Sequence, residues 1–151
     1  MSIGQFYGIE INDFAVTVAK TALWIAESQM MKQTEDIIHQ NIEFLPLKTN
    51  AHIVEGNALR IDWETVVPKN ELDYIMGNPP FVGYSLQSAE QKKDILSIYI
   101  DEKGKPYKTA GKVDYVAGWY FKAAQMIKDT NIRVAFVSTN SITQEIGRAH
   151  V

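Results

Sequence analysis

The residues best suited to chemistry in this sequence are Asn78, Pro79, Pro80 and Phe81. Consecutive prolines fix φ at about −65° and remove two backbone N–H donors, so the segment presents the Asn78 side-chain amide and backbone carbonyl oxygens. An exocyclic amino group fits this site, because the Asn78 side-chain oxygen and the Pro79 carbonyl can accept its two N–H bonds while Phe81 stacks on the attached ring. The alternative is a strand that ends in an ordinary Pro-Pro turn.

The same pair of acceptors favours a reaction at the amino nitrogen. An aromatic amine is a poor nucleophile because its lone pair is delocalised into the ring. Hydrogen bonds that strengthen as the nitrogen becomes tetrahedral stabilise the transition state more than the ground state. This chemistry requires neither a general base nor a metal ion, and we expect no metal ion for the reaction.

A predicted strand positions these residues. Residues 74–76 form an apolar pattern that ends at Gly77, directly before Asn78. Ligands of open α/β sheets bind at the carboxyl ends of strands, so Asn78 lies where a substrate is expected.

A second strand is predicted over residues 6–11, where Glu10 and Ile11 stand at the end. A carboxylate at a strand end can accept hydrogen bonds from both hydroxyls of a ribose, and Ile11 can pack on an adenine face. A solvated charge or a helix-cap partner is the alternative for Glu10. Asn12 is a helix-capping type, and apolar residues at three- and four-residue spacings predict a helix over residues 14–31 that packs on a sheet.

The rest of the chain continues the alternation of strands and helices, which indicates the α/β class. Lysines near residue 105 suit contact with phosphate, although a solvated surface insertion explains them equally well. Trp63 is expected to pack, and His39 has no partner at metal-ligand spacing. The predicted elements are a connection over residues 32–50, a strand over 52–55, a helix over 88–99, a flexible basic loop over 101–112, a helix over 115–127 capped by Asp114, and a strand over 133–138.

Composition limits the class of protein. The 151 residues are 46% hydrophobic, which is enough to bury a core, and the net charge of −3 excludes a strongly basic surface. Without cysteine, a disulfide framework, a thiolate metal site and a cysteine nucleophile are all excluded. No apolar run approaches the roughly 20 residues that span a bilayer. We therefore expect a soluble, cytoplasmic protein without a membrane partner.

Several segments resemble a known family. GNPPF, residues 77–81, is similar to the catalytic motif of class I S-adenosylmethionine-dependent amino-methyltransferases. YGIEIND, residues 7–13, is similar to the segment of that class in which an acidic residue closes the second strand. DYVAGWYFKAA, residues 114–124, resembles the helix after the catalytic motif in MmeI-like adenine-N6 DNA methyltransferases of type IIG restriction-modification systems. Glutamine-methylating release-factor enzymes and some RNA enzymes share the motif alone, so a protein or RNA substrate remains an alternative.

The resemblance implies S-adenosyl-L-methionine as the cofactor and duplex DNA with a flipped adenine as the substrate. It also implies a Rossmann-like class I sheet with helices on both faces. Catalytic roles fall by resemblance on Asn78, Pro79, Pro80 and Phe81. The adenosine of the cofactor would be held by Glu10, Ile11, Asn57 and Ala58. For Asn57, an ordinary turn that favours asparagine is the alternative.

The resemblance covers about residues 5–145, and we expect residues 1–145 to be a partial catalytic domain with an insertion at about 82–113. The family has a glycine-rich loop on a first strand before Glu10, and no such loop occurs here. IGRAHV, residues 146–151, resembles a translated sequencing adapter and is expected to be a non-native tail. We therefore expect an internal fragment that lacks the first and last strands and is inactive alone. The alternative is a partly folded α/β piece that cannot bind the cofactor.

Overall fold

A computed structural model describes residues 2–39, 50–140 and 142. The chain divides into two compact units, Met1–Val67 and Pro68–Val151. Each unit contains one pair of parallel strands and at least one α-helix, which confirms the α/β class. Among the described residues the strands form two separate pairs, and a single continuous sheet is not observed.

The first unit contains β1 (Tyr7–Glu10), α1 (Asp13–Ile38) and β2 (His52–Glu55). The strands pair in parallel, with a register that runs from Tyr7 opposite His52 to Glu10 opposite Glu55. Gly8 lies inside β1, where an added Cβ would come within 2.8 Å of the Ile53 side chain. The glycine therefore lets Ile53 pack against the neighbouring strand.

Helix α1 begins where the sequence predicts and continues further than expected. The Asn12 side-chain oxygen accepts hydrogen bonds from the N–H groups of Phe14 at 2.8 Å and Ala15 at 3.3 Å. The predicted connection over residues 32–50 is wrong for residues 32–38, which are helical. Lysine, glutamine and glutamate are good helix formers, so the helix persists after its apolar pattern weakens. Residues 40–49 lie outside the described residues.

The second unit contains β3 (Tyr74–Gly77), α2 (Ala89–Ile98), α3 (Ala117–Ile127) and β4 (Arg133–Phe136). Strands β3 and β4 are parallel, with Gly77 opposite Phe136. The Phe136 ring lies 3.3 Å from the position of a Cβ at Gly77 and makes an edge-on contact with the Tyr120 ring of α3 at 5.2 Å. Helix α3 therefore packs on the face of β4 that carries Phe136.

The segment between β3 and α3 is held by local hydrogen bonds. The predicted capping box of α2 is confirmed, because Ser88 and Gln91 exchange side-chain to backbone hydrogen bonds of 2.9 and 3.2 Å. In the basic loop, one Asp101 carboxylate oxygen accepts hydrogen bonds from the N–H groups of Lys103 and Lys105, both at 2.9 Å. The loop that was predicted to be flexible thus forms a hydrogen-bonded turn.

The two helices of this unit are joined through Tyr99. Its hydroxyl donates a hydrogen bond to the Ala117 carbonyl at 2.9 Å, and its ring stacks on Phe121 at 4.3 Å. Burial raises the pKa of Tyr99 from 10.0 to about 12. The folded chain therefore keeps a phenol proton that the unfolded chain loses above pH 10. The Tyr99 phenol contributes to the free energy of unfolding below pH 10, and this contribution is lost as the pH rises from 10 to about 12.

Tyr99→Phe should remove this late titration. We expect the difference in tyrosinate absorbance between the parent protein and Tyr99→Phe to titrate with a midpoint near pH 12. Tyr107→Phe, at an exposed tyrosine, is the matched control and should preserve the late-titrating group. A difference curve centred at the ordinary value of 10.0 would contradict the described burial.

No helix among the described residues is long and apolar enough to cross a membrane.

Candidate active site

Asn78 stands directly after β3, at its carboxyl end, as the sequence predicts. Its side chain is exposed, and within the described part of the chain its amide has no hydrogen-bond partner. Pro79 is buried, whereas Pro80 is exposed and Phe81 is 48% exposed. The motif is therefore anchored through Pro79 while it presents an amide and an aromatic ring to solvent.

The chain that follows Phe81 is held by the segment before α3. The Val82 carbonyl accepts a hydrogen bond from the Tyr115 N–H at 2.9 Å. The Tyr84 N–H donates to the Asp114 carboxylate, also at 2.9 Å. The motif is thus followed immediately by two hydrogen bonds to residues that are adjacent to each other in sequence.

The prediction that Asp114 caps α3 is wrong. The helix begins at Ala117, with Val116 in the capping position and no side-chain hydrogen bond to the cap. The Asp114 backbone carbonyl accepts the Ala117 N–H at 2.9 Å in a turn that precedes the helix. The carboxylate is engaged instead by Tyr84, a partner 30 residues away in sequence.

A buried polar pair supports this region. Tyr115 is 4% exposed, and its hydroxyl donates a hydrogen bond of 3.0 Å to the carboxylate of Asp94, which is 5% exposed. Nearby, the Gln87 side-chain amide donates to the Val113 carbonyl at 2.9 Å. These residues were not predicted from the sequence. The available signal was an acidic residue beside Ile95 on the apolar face of α2.

In the first unit, two strand ends bring the candidate cofactor residues together. The Glu10 backbone carbonyl accepts a hydrogen bond of 2.7 Å from the N–H of Gly56, which directly precedes Asn57. The Glu10 side chain is exposed, and Ile11 is 71% exposed. Because β1 and β2 are parallel, Glu10 and the turn that contains Asn57 and Ala58 lie at the same edge of the pair.

The turn after β2 is held by its own hydrogen bonds. The Asn57 side-chain oxygen accepts the Leu59 N–H at 2.9 Å. This hydrogen bond is typical of asparagine in a turn, as the alternative interpretation of Asn57 predicts. The Trp63 indole N–H donates to the Ala58 carbonyl at 2.9 Å, which ties the turn to the following segment.

Gly56 is required at the start of this turn. Its φ of +154° is unfavourable for other residues, and an added Cβ would collide with the Ile61 side chain. Glycine at this position therefore allows the chain to leave β2 and present Asn57 beside Glu10.

Among the described residues, no group of three or more histidines and acidic residues could hold a metal ion. His39, which had no partner in the sequence pattern, caps the carboxyl end of α1 with a φ of 54°. The described strand ends present amide, carbonyl and carboxylate acceptors.

The parallel strand pairs define an α/β protein, and in this class of fold ligands generally bind at the carboxyl ends of strands. The model of the family described as "MmeI, DNA-methyltransferase domain" matches residues 1–149, and the chain belongs to this family. It is 44% identical over 147 residues to DNA methyltransferase A of Bacillus subtilis (strain 168), a match that covers 95% of this chain and 16% of that protein.

A solved structure agrees with this assignment. The chain matches the Type IIL restriction-modification enzyme MmeI in complex with DNA, with a TM-score of 0.86 and 44% identity. The match covers 95% of this chain and 19% of the MmeI chain. The described residues therefore correspond to a small part of both relatives.

Proposed function

We propose that the protein containing this chain transfers a methyl group from S-adenosyl-L-methionine to the exocyclic amino group of adenine in DNA, within a restriction-modification system. The observation that carries this proposal is the exposed Asn78 amide at the end of β3, which has no hydrogen-bond partner within the described residues and precedes the exposed Phe81 by three positions. Membership of the MmeI methyltransferase family and the DNA complex of the similar enzyme support it.

The first unit has acceptors that fit the adenosine of the cofactor. Glu10 offers an exposed carboxylate for the two ribose hydroxyls, and Ile11 offers an exposed apolar surface for the adenine. The Asn57 side-chain oxygen is an acceptor of the type that the adenine amino group needs, and the Ala58 backbone would meet the ring. When bound, S-adenosyl-L-methionine supplies an electrophilic methyl group on a positively charged sulfur.

The second unit would hold the base. In a duplex the adenine amino group is paired and stacked, so the base must be flipped out to reach Asn78. Asn78 and the Pro79 carbonyl would accept the two amino N–H bonds, and Phe81 would stack on the ring. The stiffness of the prolines keeps the acceptors in place before the substrate arrives.

These residues would accelerate the reaction through position and electrostatics. The amino nitrogen would gain positive charge as its bond to the methyl carbon forms and the carbon–sulfur bond breaks, which leaves a neutral thioether. Asn78 and the Pro79 carbonyl would strengthen their hydrogen bonds to the nitrogen at that point. Holding the amino nitrogen in a fixed position would also lower the entropic cost of the reaction. The extra proton then leaves the nitrogen for water, without a dedicated base.

We also propose that residues 1–145 are part of a larger catalytic domain, with residues 82–113 as an insertion. The chain spans 16% and 19% of its two relatives, which supports the view that activity requires further residues. The experiments below therefore use the full-length methyltransferase that contains this chain.

Analysis of modified nucleosides tests the reaction. The full-length enzyme is expressed in cells that lack other DNA methyltransferases, and the genomic DNA is digested to nucleosides. We expect N6-methyladenine to appear with the active enzyme and to be absent from empty-vector cells. Detection of N4-methylcytosine without N6-methyladenine would support methylation of an amino group and would contradict adenine as the target base.

The basic loop provides a prediction about DNA binding. Lys105 and Lys108 are exposed, and the double variant Lys105→Glu, Lys108→Glu should weaken DNA binding. If both contact phosphates, the slope of log K against log salt should fall by about 0.9 for each lost contact. Binding is measured over a salt series, with Lys128→Glu as the matched control at an exposed lysine that follows α3. An unchanged slope would show that the loop is a solvated insertion.

A further inference from the structure

Residues 114–115, called here the 114–115 clamp, hold the chain segment that directly follows residues 78–81. The Tyr84 N–H donates to the Asp114 carboxylate at 2.9 Å, and the Tyr115 N–H donates to the Val82 carbonyl at 2.9 Å. Between these bonds, a Cβ at Gly83 would lie 3.6 Å from the same Asp114 oxygen. The carboxylate is therefore in contact range of the backbone just after Phe81.

The clamp is itself anchored to both helices of the unit. The Asp114 carbonyl accepts the Ala117 N–H at the start of α3. The Tyr115 hydroxyl reaches the buried Asp94 of α2 at 3.0 Å. A side chain attached in this way can transmit the rigidity of two packed helices to the segment that follows the motif.

The motif needs such support. Asn78 and Phe81 are exposed, and only Pro79 is buried, so the catalytic side chains are not held by packing around them. Methyl transfer is sensitive to alignment, and an error of about 1 Å in position can cost on the order of a hundredfold in rate. The backbone after Phe81 must therefore be held as firmly as the backbone before Asn78, which belongs to β3.

We propose that Asp114 is a positioning residue for methyl transfer, which fixes the backbone after Phe81 by accepting the Tyr84 N–H. The proposal rests on the proposed function of Asn78 and Phe81. Asp114 acts through backbone position and touches neither the base nor the cofactor. Its contribution should therefore appear in kcat, while the affinity for S-adenosyl-L-methionine stays within about twofold.

Three substitutions at Asp114 distinguish the effect of the position of its side-chain oxygen from the effect of its negative charge. Asp114→Ala removes the acceptor and should lower kcat at least about tenfold. Asp114→Asn keeps an oxygen at the same distance along the side chain and should retain at least about a third of the activity. Asp114→Gln also keeps an amide but moves it by one methylene, so its kcat should fall close to that of the alanine variant.

The test measures kcat, KM and cofactor affinity of the full-length enzyme and its variants on duplex DNA. A duplex with 2-aminopurine at the target position is a second readout, because its fluorescence reports how the flipped base is stacked. We expect the alanine and glutamine variants to change this signal and the asparagine variant to preserve it. A purely structural role would lower the amount of folded enzyme without changing the signal per bound duplex.

The outcomes distinguish the two proposals. An inactive parent enzyme on DNA would overturn the proposed function itself. An active parent with equal kcat for Asp114→Asn and Asp114→Gln would overturn the positioning role of Asp114 alone, and this comparison remains decisive if Asp114→Ala does not fold. Low activity of Asp114→Asn with an altered fluorescence signal would show that charge is needed, which also contradicts the proposal.

Discussion

Asn78→Ala should lower kcat for methyl transfer by at least about a hundredfold, the usual cost of removing one preorganised polar group that acts on the transition state. The side chain lies exposed at the end of β3, and its oxygen is one of two acceptors proposed for the amino group. The second acceptor, the Pro79 carbonyl, cannot replace it. The measurement is single-turnover methyl transfer to duplex DNA by the full-length enzyme.

The affinity for cofactor should stay within a few fold in Asn78→Ala, because the proposed adenosine contacts are made by other strand ends. Asn70→Ala is the matched control, since Asn70 is also exposed and stands before β3, at the other end of the strand. It should keep parental activity. Full activity of Asn78→Ala would contradict the assignment of the motif, whatever the control shows.

Glu10→Ala should raise the dissociation constant for S-adenosyl-L-methionine by about tenfold to a hundredfold. This range corresponds to the roughly 1.5–3 kcal/mol of a hydrogen bond to a charged group. The Glu10 carboxylate is exposed at the carboxyl end of β1, beside the turn that carries Asn57. Isothermal titration calorimetry on the full-length enzyme measures the change.

The neighbouring strand provides a matched control for Glu10. Glu55 lies opposite Glu10 in the register, ends β2 and is also exposed. Glu55→Ala should leave the dissociation constant within a few fold. An unchanged constant for Glu10→Ala would contradict the ribose contact, and a loss confined to Glu55→Ala would show that the wrong carboxylate was chosen.

Local patterns predicted the elements that carry the candidate site. The β-rich run at residues 6–11 predicted β1 and the apolar pattern at residues 74–76 predicted β3, with Glu10 and Asn78 at their carboxyl ends. In the structure both strands pair in parallel with later strands. The capping role of Asn12 was also visible, because its partners Phe14 and Ala15 are two and three residues away. Family membership, expected from the motifs, is confirmed by the match over residues 1–149.

The errors concern features that local patterns do not determine. Helix α1 continues to Ile38 because helix propensity persists where the apolar spacing no longer indicates a buried face. Asp114 has the residue type of a helix cap, but its partner Tyr84 is 30 residues away. The Tyr115 to Asp94 hydrogen bond likewise spans 21 residues, so no short window of sequence contains it.

Asn57 had two interpretations in the sequence, as a residue that favours a turn and as a contact to the cofactor. Its side-chain oxygen accepts the Leu59 N–H, which explains why asparagine suits the turn. The cofactor contact that the resemblance implies for Asn57 stays a prediction, and the sequence alone could not divide these two roles. Both interpretations place Asn57 at the strand end next to Glu10.

Transfer of labelled methyl groups tests the central claim most directly. The full-length enzyme is given S-adenosyl-L-methionine with a labelled methyl group and is offered duplex DNA, RNA and protein in parallel, with Asn78→Ala beside the parent. We expect label in the adenine of DNA with the parent enzyme and none above background with the variant. Label in RNA or in glutamine of a protein would contradict the DNA substrate, and the absence of label from all three would contradict methyl transfer itself.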